Sequence, residues 1–263
     1  MVDAATGGGG DGSNTVNPDA GPNDLDGDGV ANNDDNCPMA NNANQGNEDG
    51  DAFGDACDKC PIDVDDSDGD GDGVAGSCDP RPQTGGDSIV LFEGFHSGVP
   101  STWTVVGGTM QMGDDLVLVG VAGNHSAIVP PVTAPTNGVV SIAGTVVETF
   151  GQYEAGLGVL TAYNPNQDNG IFCALYSPNA GTTNNRSVDV WDTVTGNYNT
   201  KPYAWQNNIV YRVANRRAGS SYTCSADSQL ISGNFNSTPG TMAGITAYET
   251  TARVSWLMIV ASQ

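Results

Sequence analysis

The chain has 263 residues, with 31 acidic side chains against 8 basic ones and a net charge of −23. A surface this acidic repels phosphate backbones and anionic membrane surfaces, which excludes nucleic acid and acidic lipid as partners. No apolar run approaches the ~18 residues that a transmembrane helix needs.

The acid is unevenly spread. Residues 1–87 hold 21 of the 31 acidic side chains and only two basic ones, Lys59 and Arg81, whereas residues 88–263 hold 10 acidic and 6 basic. Two regions of different chemistry are therefore expected. Residues 1–23 are Gly, Asn, Asp, Thr and Pro with almost no apolar side chains. Such a segment buries too little to order itself and reads as a flexible linker. The chain opens Met1-Val2-Asp3 without a secretory signal. The expectation is that an export segment preceded it and that the Gly/Asn/Asp-rich stretch tethers an exported protein, as in a lipoprotein.

Residues 24–79 form the acidic module. Asp24, Asp26, Asp28, the Val30 carbonyl, Asn32 and Asp35 fall at positions 1, 3, 5, 7, 9 and 12 of an EF-hand-type loop, with Gly29 at the sharp turn. The register recurs with Asn47, Asp49, Asp51, the Phe53 carbonyl, Asp55 and Asp58. It recurs again with Asp68, Asp70, Asp72, the Val74 carbonyl and Asp79. Calcium takes six to eight oxygens, which this spacing wraps around one point, whereas magnesium wants fewer in a tighter octahedron. The extra acids Asp34, Asp63, Asp65 and Asp66 are placed to bridge neighbouring ions.

The module holds 17 acids and one lysine. Compacting it without cations brings like charges within a few ångströms, each pair costing ~1 kcal/mol at 4 Å even in water. Its apolar inventory is little more than Leu25, Val30, Met39, Phe53, Ile62, Val64 and Val74. Metal and disulfides must replace a core. Three or more structural Ca2+ ions are expected, with bridges Cys37–Cys57 and Cys60–Cys78.

The run Asp35-Asn36-Cys37-Pro38, then Asn42, Gln45, Asn47, Asp49, Asp51, Gly54-Asp55 and Cys57-Asp58, resembles the thrombospondin type 3 repeat. The resemblance covers residues 24–79. It implies an extended string of calcium-wrapped loops with little regular structure, often with two ions per repeat. Asn47 stands where the family usually has Asp, and the stretch Cys60 to Asp79 is abbreviated.

Residues 80–87 read as a Pro/Gly hinge. Beyond them the pattern has period two. Ile209, Tyr211 and Val213 alternate with Val210, Arg212 and Ala214. Ala252, Val254, Trp256 and Met258 are expected to share one face, and residues 140–146 read likewise. Further strands fit 88–93, 103–111, 115–121, 153–163, 170–177, 187–194, 221–226 and 242–248, with turn signals between them and no convincing amphipathic helix. The fold class expected for residues 88–263 is mainly β, an antiparallel β-sandwich or jelly roll. Cys173 and Cys224 are expected to bridge neighbouring strands.

Leu91-Phe92-Glu93-Gly94-Phe95, then Trp103, together with Gly244 to Tyr248 and Ala252 to Val260, resemble laminin G-like and concanavalin A-like lectin/glucanase sandwiches. Enzymes of that class carry closely spaced acids on one strand. Here Glu148 with Glu154 and Asp189 with Asp192 are the near neighbours, and neither pair fits that pattern. His96 and His125 have no recognisable Ser or Cys partner motif. The expectation is therefore not an enzyme but a lectin-like recognition domain for a glycan or surface protein, carried on the calcium module as a stiff stalk, in an extracellular or cell-surface adhesion protein. A glycoside hydrolase and a self-associating architectural subunit are the alternatives. Candidate ligand-binding residues are Trp191, Asp192, Tyr198, Tyr203, Trp205 and Asn207, which pair aromatic faces with polar groups as sugar sites do.

Overall fold

The computed structural model describes residues 23–263, apart from 108, 113–114, 121–124, 151–153, 180–182 and 238–239. The linker expected over residues 1–23 lies almost wholly outside the described residues.

Residues 23–86 fold without strands, around a single short 3-10 turn at Gly76–Cys78. Loop shape comes from the aspartates themselves. The position 1 side chain accepts the N–H three residues on: Asp24 from Gly27, Asn47 from Gly50 and Asp68 from Gly71. The position 5 side chain accepts the N–H at position 7: Asp28 from Val30, Asp51 from Phe53 and Asp72 from Val74. Gly29 and Gly73 take φ of +95° and +97°, which side chains avoid, and so turn the backbone back on the ligand groups. Disulfides Cys37–Cys57 and Cys60–Cys78 are both present.

The remainder is a sandwich of two antiparallel sheets, as expected. The first sheet runs β13 (Gln229–Asn234), β12 (Ser221–Ala226), β11 (Val210–Ala218), β6 (Asn137–Thr149), β15 (Thr250–Ser262), β4 (Leu116–Val119) and β3 (Thr109–Met112). β1 (Asp87–Glu93) pairs with the second half of β15, on residues 257–262. The second sheet runs β10 (Asn197–Pro202), β9 (Ser187–Asp192), β8 (Asn169–Ser177), β7 (Ala155–Asn164), β14 (Met242–Tyr248), β5 (His125–Val129) and β2 (Thr104–Val106). Between the sheets, Ile142, Val254 and Leu257 meet Leu157, Ile171 and Leu175 in one buried core.

Three expectations are corrected. The strand expected over 103–111 is two strands in different sheets, β2 and β3. Gly107 separates them with a left-handed φ of +62°, which turns the chain from one layer to the other. Ala252, Val254, Trp256 and Met258 do not share a face: a register shift between Val254 and Trp256 inverts the alternation. Ala252, Val254, Leu257 and Ile259 enter the core, and Trp256, Met258 and Val260 point out of the first sheet. Finally, Cys173 lies on β8 and Cys224 on β12, in opposite sheets, so their disulfide crosses the sandwich instead of linking neighbouring strands. Beside it, the fully buried Asn215 donates across the core to Thr161 Oγ1 at 2.7 Å.

Trp256, Met258 and Val260 are covered by the acidic module. Cys60, Val74, Ala75 and Cys78 pack on them in a buried cluster of their own. Arg212 of β11 adds a polar clasp: its guanidinium lies 5.7 Å from the Trp256 ring centroid and donates to the Ser77 carbonyl at 3.1 Å. Arg216 donates to the Pro80 carbonyl. The segment expected as a hinge is held at both ends, since Arg81 pairs with Asp87 at 2.8 Å and donates to the Gln263 carbonyl at 2.7 Å. The module is thus docked on the sandwich, not held out from it as a stalk.

Candidate functional site: a groove on the second sheet and three aspartate loops

Alternation along β9 sorts its side chains. Val188 and Val190 enter the core, while Ser187, Asp189 and Trp191 face outward. β10 pairs with it in register, setting Tyr198 opposite Trp191 and Thr200 opposite Asp189. On β8 the outward positions are Phe172, Ala174 and Tyr176. Their neighbours on β7 include Gly158 and Gly156, which carry no side chain. Bulk at Trp191, Tyr198 and Tyr176 around small central residues makes a groove of about 410 Å³. Glu154, Asn185 and Pro178 close its rim.

Trp191 is anchored from beneath by Phe172, with ring centroids 6.1 Å apart. Phe172 in turn lies in a second buried cluster with Leu160 and Tyr163. Tyr198 stands 62% exposed, so it presents a ring face to solvent. Asp189 accepts a hydrogen bond from Thr200 Oγ1 at 2.6 Å. Burial, together with the charge of Glu154, raises the Asp189 carboxyl above the ordinary aspartate range. Burial and a hydrogen bond to Glu154 push the Tyr176 hydroxyl pKa upward. Glu154 and Asp189, 35 positions apart in sequence, therefore meet electrostatically in one groove. Sequence spacing did not reveal this pair, because only strand pairing brings β7 and β9 to opposite sides of β8.

The other expected ligand residues lie elsewhere. Asp192, buried on the opposite face from Trp191, accepts the Val194 N–H at 2.9 Å and the Thr195 hydroxyl at 2.8 Å to close the β9–β10 turn. Trp205 is buried, donates to the Tyr176 carbonyl, and lies 3.8 Å beneath the Arg186 guanidinium. Arg186 also donates to the Trp205 carbonyl and to Asn207 Oδ1. Tyr203 packs edge-on against Tyr211. Arg186, Trp205 and Asn207 thus form one stacked, hydrogen-bonded group. Of the six expected residues, Trp191 and Tyr198 line the groove.

The acidic pairs considered from sequence do not converge. Asp189 and Asp192 face opposite ways, and Glu148 accepts from Thr251 on the first sheet. His125 is buried at 2.8 Å from Asp168, whose carboxylate also accepts the Tyr163 hydroxyl. Burial, partly offset by the Asp168 charge, lowers its pKa.

The aspartate loops gather their carboxylates as the register requires. Asp24, Asp26 and Asp28 each offer an oxygen within 4.8 Å of the others, as do Asp49, Asp51 and Asp58, and Asp68, Asp70 and Asp72. Asp26 Oδ2, Asp35 Oδ2, Asp49 Oδ2 and both oxygens of Asp70 are buried and accept no hydrogen bond from the protein. Burying carboxylate oxygens without donors is costly, and a hard cation is the partner whose chemistry removes that cost. Burial, with the neighbouring acids Asp66 and Asp51, pushes the Asp58 carboxyl up to about 7. The residues present fit calcium. Of the other expected ligands, Asn32 accepts the Leu25 N–H. Asp55 accepts the Glu48 N–H at 2.9 Å and lies 3.6 Å from His96. Asp79 accepts the Arg81 N–H.

No family model matches the chain, and no curated protein matches it. Among solved structures, the carbohydrate binding module CBM66 from Bacillus subtilis is similar at a TM-score of 0.47 and 14% identity, over 59% of this chain and 94% of that one. A β-glucanase from Bacillus licheniformis is similar at 0.45 and 12%, over 67% and 99%. A glycosyl hydrolase family 16 protein from Mycobacterium smegmatis is similar at 0.46 and 10%, over 65% and 100%.

Proposed function

We propose that this is an extracellular recognition protein whose second sheet binds a glycan, and whose aspartate loops bind structural calcium. The observation that carries the glycan reading is the Trp191–Tyr198 pair. The two rings stand side by side across β9 and β10, one anchored by Phe172 and one open to solvent, above a groove edged with carboxylate, amide and hydroxyl groups. Sugars offer one apolar face and a ring of hydroxyls, which such a surface complements. Three disulfides support an oxidising compartment. Among the described residues no helix is long and apolar enough to cross a membrane.

Calcium in this reading is structural. Asp24, Asp26 and Asp28, Asp49, Asp51 and Asp58, and Asp68, Asp70 and Asp72 would hold it. It supplies charge neutralisation, and the loops then form a rigid base under the first sheet. A glycan array probed with the calcium-loaded protein and its Trp191→Ala variant tests the groove. Binding that survives Trp191→Ala, or its absence on every glycan, defeats the assignment. Titration calorimetry with calcium tests the loops, and no heat of binding would defeat that half.

One observation favours a second reading. Glu154 and Asp189 share the groove, and two carboxylates flanking a sugar are the apparatus of glycoside hydrolysis. Release of reducing ends from a bound oligosaccharide, lost in both Glu154→Gln and Asp189→Asn, would establish that reading over simple binding.

A further inference from the structure

Resting on the glycan reading of the groove, we infer that its ligand is a sugar carrying a free amine, a glucosamine-type oligosaccharide, in preference to neutral or acidic sugars. Two carboxylates line the groove, Glu154 and Asp189, and among the described residues no lysine, arginine or histidine lines it with them. The nearest candidate in sequence, Arg186, is turned away, with its guanidinium committed to Trp205 and Asn207.

Asp189 is fixed in place, because Thr200 donates to it at 2.6 Å and pins it from one side, and Glu154 shares the groove lining with it. Burial and mutual repulsion raise the Asp189 carboxyl. An ammonium group entering between them removes that repulsion and gains charge-assisted hydrogen bonds. The walls favour the same charge: ring faces such as those of Trp191 and Tyr198 attract cations within about 6 Å. A uronic or sialic acid would meet the two carboxylates and the net −23 of the whole chain. A neutral hydroxyl can hydrogen-bond here but gains nothing from the field. A metal ion is a poor competitor, because calcium takes six to eight oxygens, and much of this lining is aromatic.

The test uses the full chain with calcium present, titrated by calorimetry with hexamers of glucosamine, N-acetylglucosamine and glucose, and with oligogalacturonate. The expected result is glucosamine binding about tenfold or more tighter than either neutral hexamer, with oligogalacturonate weakest. Asp189→Asn and Glu154→Gln should each bring the ratio of glucosamine to glucose affinity down to about one, while Trp191→Ala abolishes all binding. If neutral or acidic hexamers bind as tightly as glucosamine, or the preference survives both carboxylate variants, the inference falls and the groove reading stands. If nothing binds, or binding ignores Trp191→Ala because the polycation sits on the acidic module, both fall.

Discussion

Asp72 and Asp87 are joined through one carboxylate oxygen. Asp72 Oδ2 accepts the Asp87 N–H at 2.6 Å and the Gly86 N–H at 2.9 Å. Asp87 in turn holds Arg81, which reaches the Gln263 carbonyl. A single chain of hydrogen bonds thus runs from the third aspartate loop to the place where the sandwich's first strand begins and its last strand ends, since Asp87 of β1 pairs with Ser262 of β15. Replacing Asp72 by Ala orphans the Val74, Gly86 and Asp87 N–H groups together. Each orphaned group costs about 1–3 kcal/mol if water cannot reach it. The expected outcome of urea unfolding is a loss of at least ~2 kcal/mol for the whole molecule. A change confined to the module would show that the link carries no load.

The raised carboxyl of Asp189 gives a pH dependence of definite sign. A carboxyl whose folded pKa lies above its unfolded value binds more protons when folded, so stability falls as pH rises between the two values. Asp189→Asn removes this penalty and keeps an oxygen for the Thr200 hydroxyl. The variant should melt higher than the parent at pH 7, with the gap closing below the ordinary aspartate range near pH ~3.9. The same change should weaken the groove's hold on amines, so stability and binding move in opposite directions. A variant that melts lower at pH 7 would mean that the carboxylate is stabilised, not strained.

Much of the loop geometry was legible because it is local: turn glycines and the aspartates that accept their N–H groups are set by spacing alone, as Asp24, Gly27 and Gly29 illustrate. The sandwich was legible wherever strands alternate. It was not legible at β5, where all five residues from His125 to Val129 are buried and no alternation survives. Nor was it at β10, which is polar and almost wholly exposed, or at β13, an edge strand. The face of Trp256 was misread because docking makes both sides of β15 apolar and a bulge shifts the phase between them. Glu154 and Asp189 could not be paired from sequence, since their meeting depends on strand order.

The disulfide between Cys173 and Cys224 closes a span of 51 residues and ties β8 to β12 across the core. Loop-closure entropy for such a span comes to about 4 kcal/mol. Replacing both cysteines by alanine should lower the unfolding free energy by about that amount, slightly more where the missing sulfurs leave a cavity. Urea titration of the double variant measures it. Because Cys224 lies beside the buried Asn215–Thr161 hydrogen bond, protection of the Asn215 backbone amide against exchange should fall as well. A loss below ~1 kcal/mol would mean that the unfolded chain is already compact across this span.

Trp256 decides whether the aspartate loops and the sandwich are one cooperative body. Its ring is 5% exposed, and the half-cystines Cys60 and Cys78 with Val74 and Ala75 cover it. Trp256→Ala removes that platform and the ring under Arg212, at an expected cost of about 3–5 kcal/mol. The core side of β15 is built by Val254, Leu257 and Ile259, so the sandwich itself should survive. The expected outcome is selective: with calcium present, cleavage by a protease should appear in residues 79–87 of the variant and be absent from the parent. Near-ultraviolet signals from the buried Tyr163 and Tyr222 should persist. Arg212→Ala, which loses the hydrogen bonds to Ser77 but keeps the ring, should show the same cleavage more weakly. If Trp256→Ala instead unfolds both parts in one transition, the module is an integral layer of the fold. If neither variant becomes cleavable, the remaining contacts of Arg81, Asp72 and Arg216 are enough to hold the loops in place.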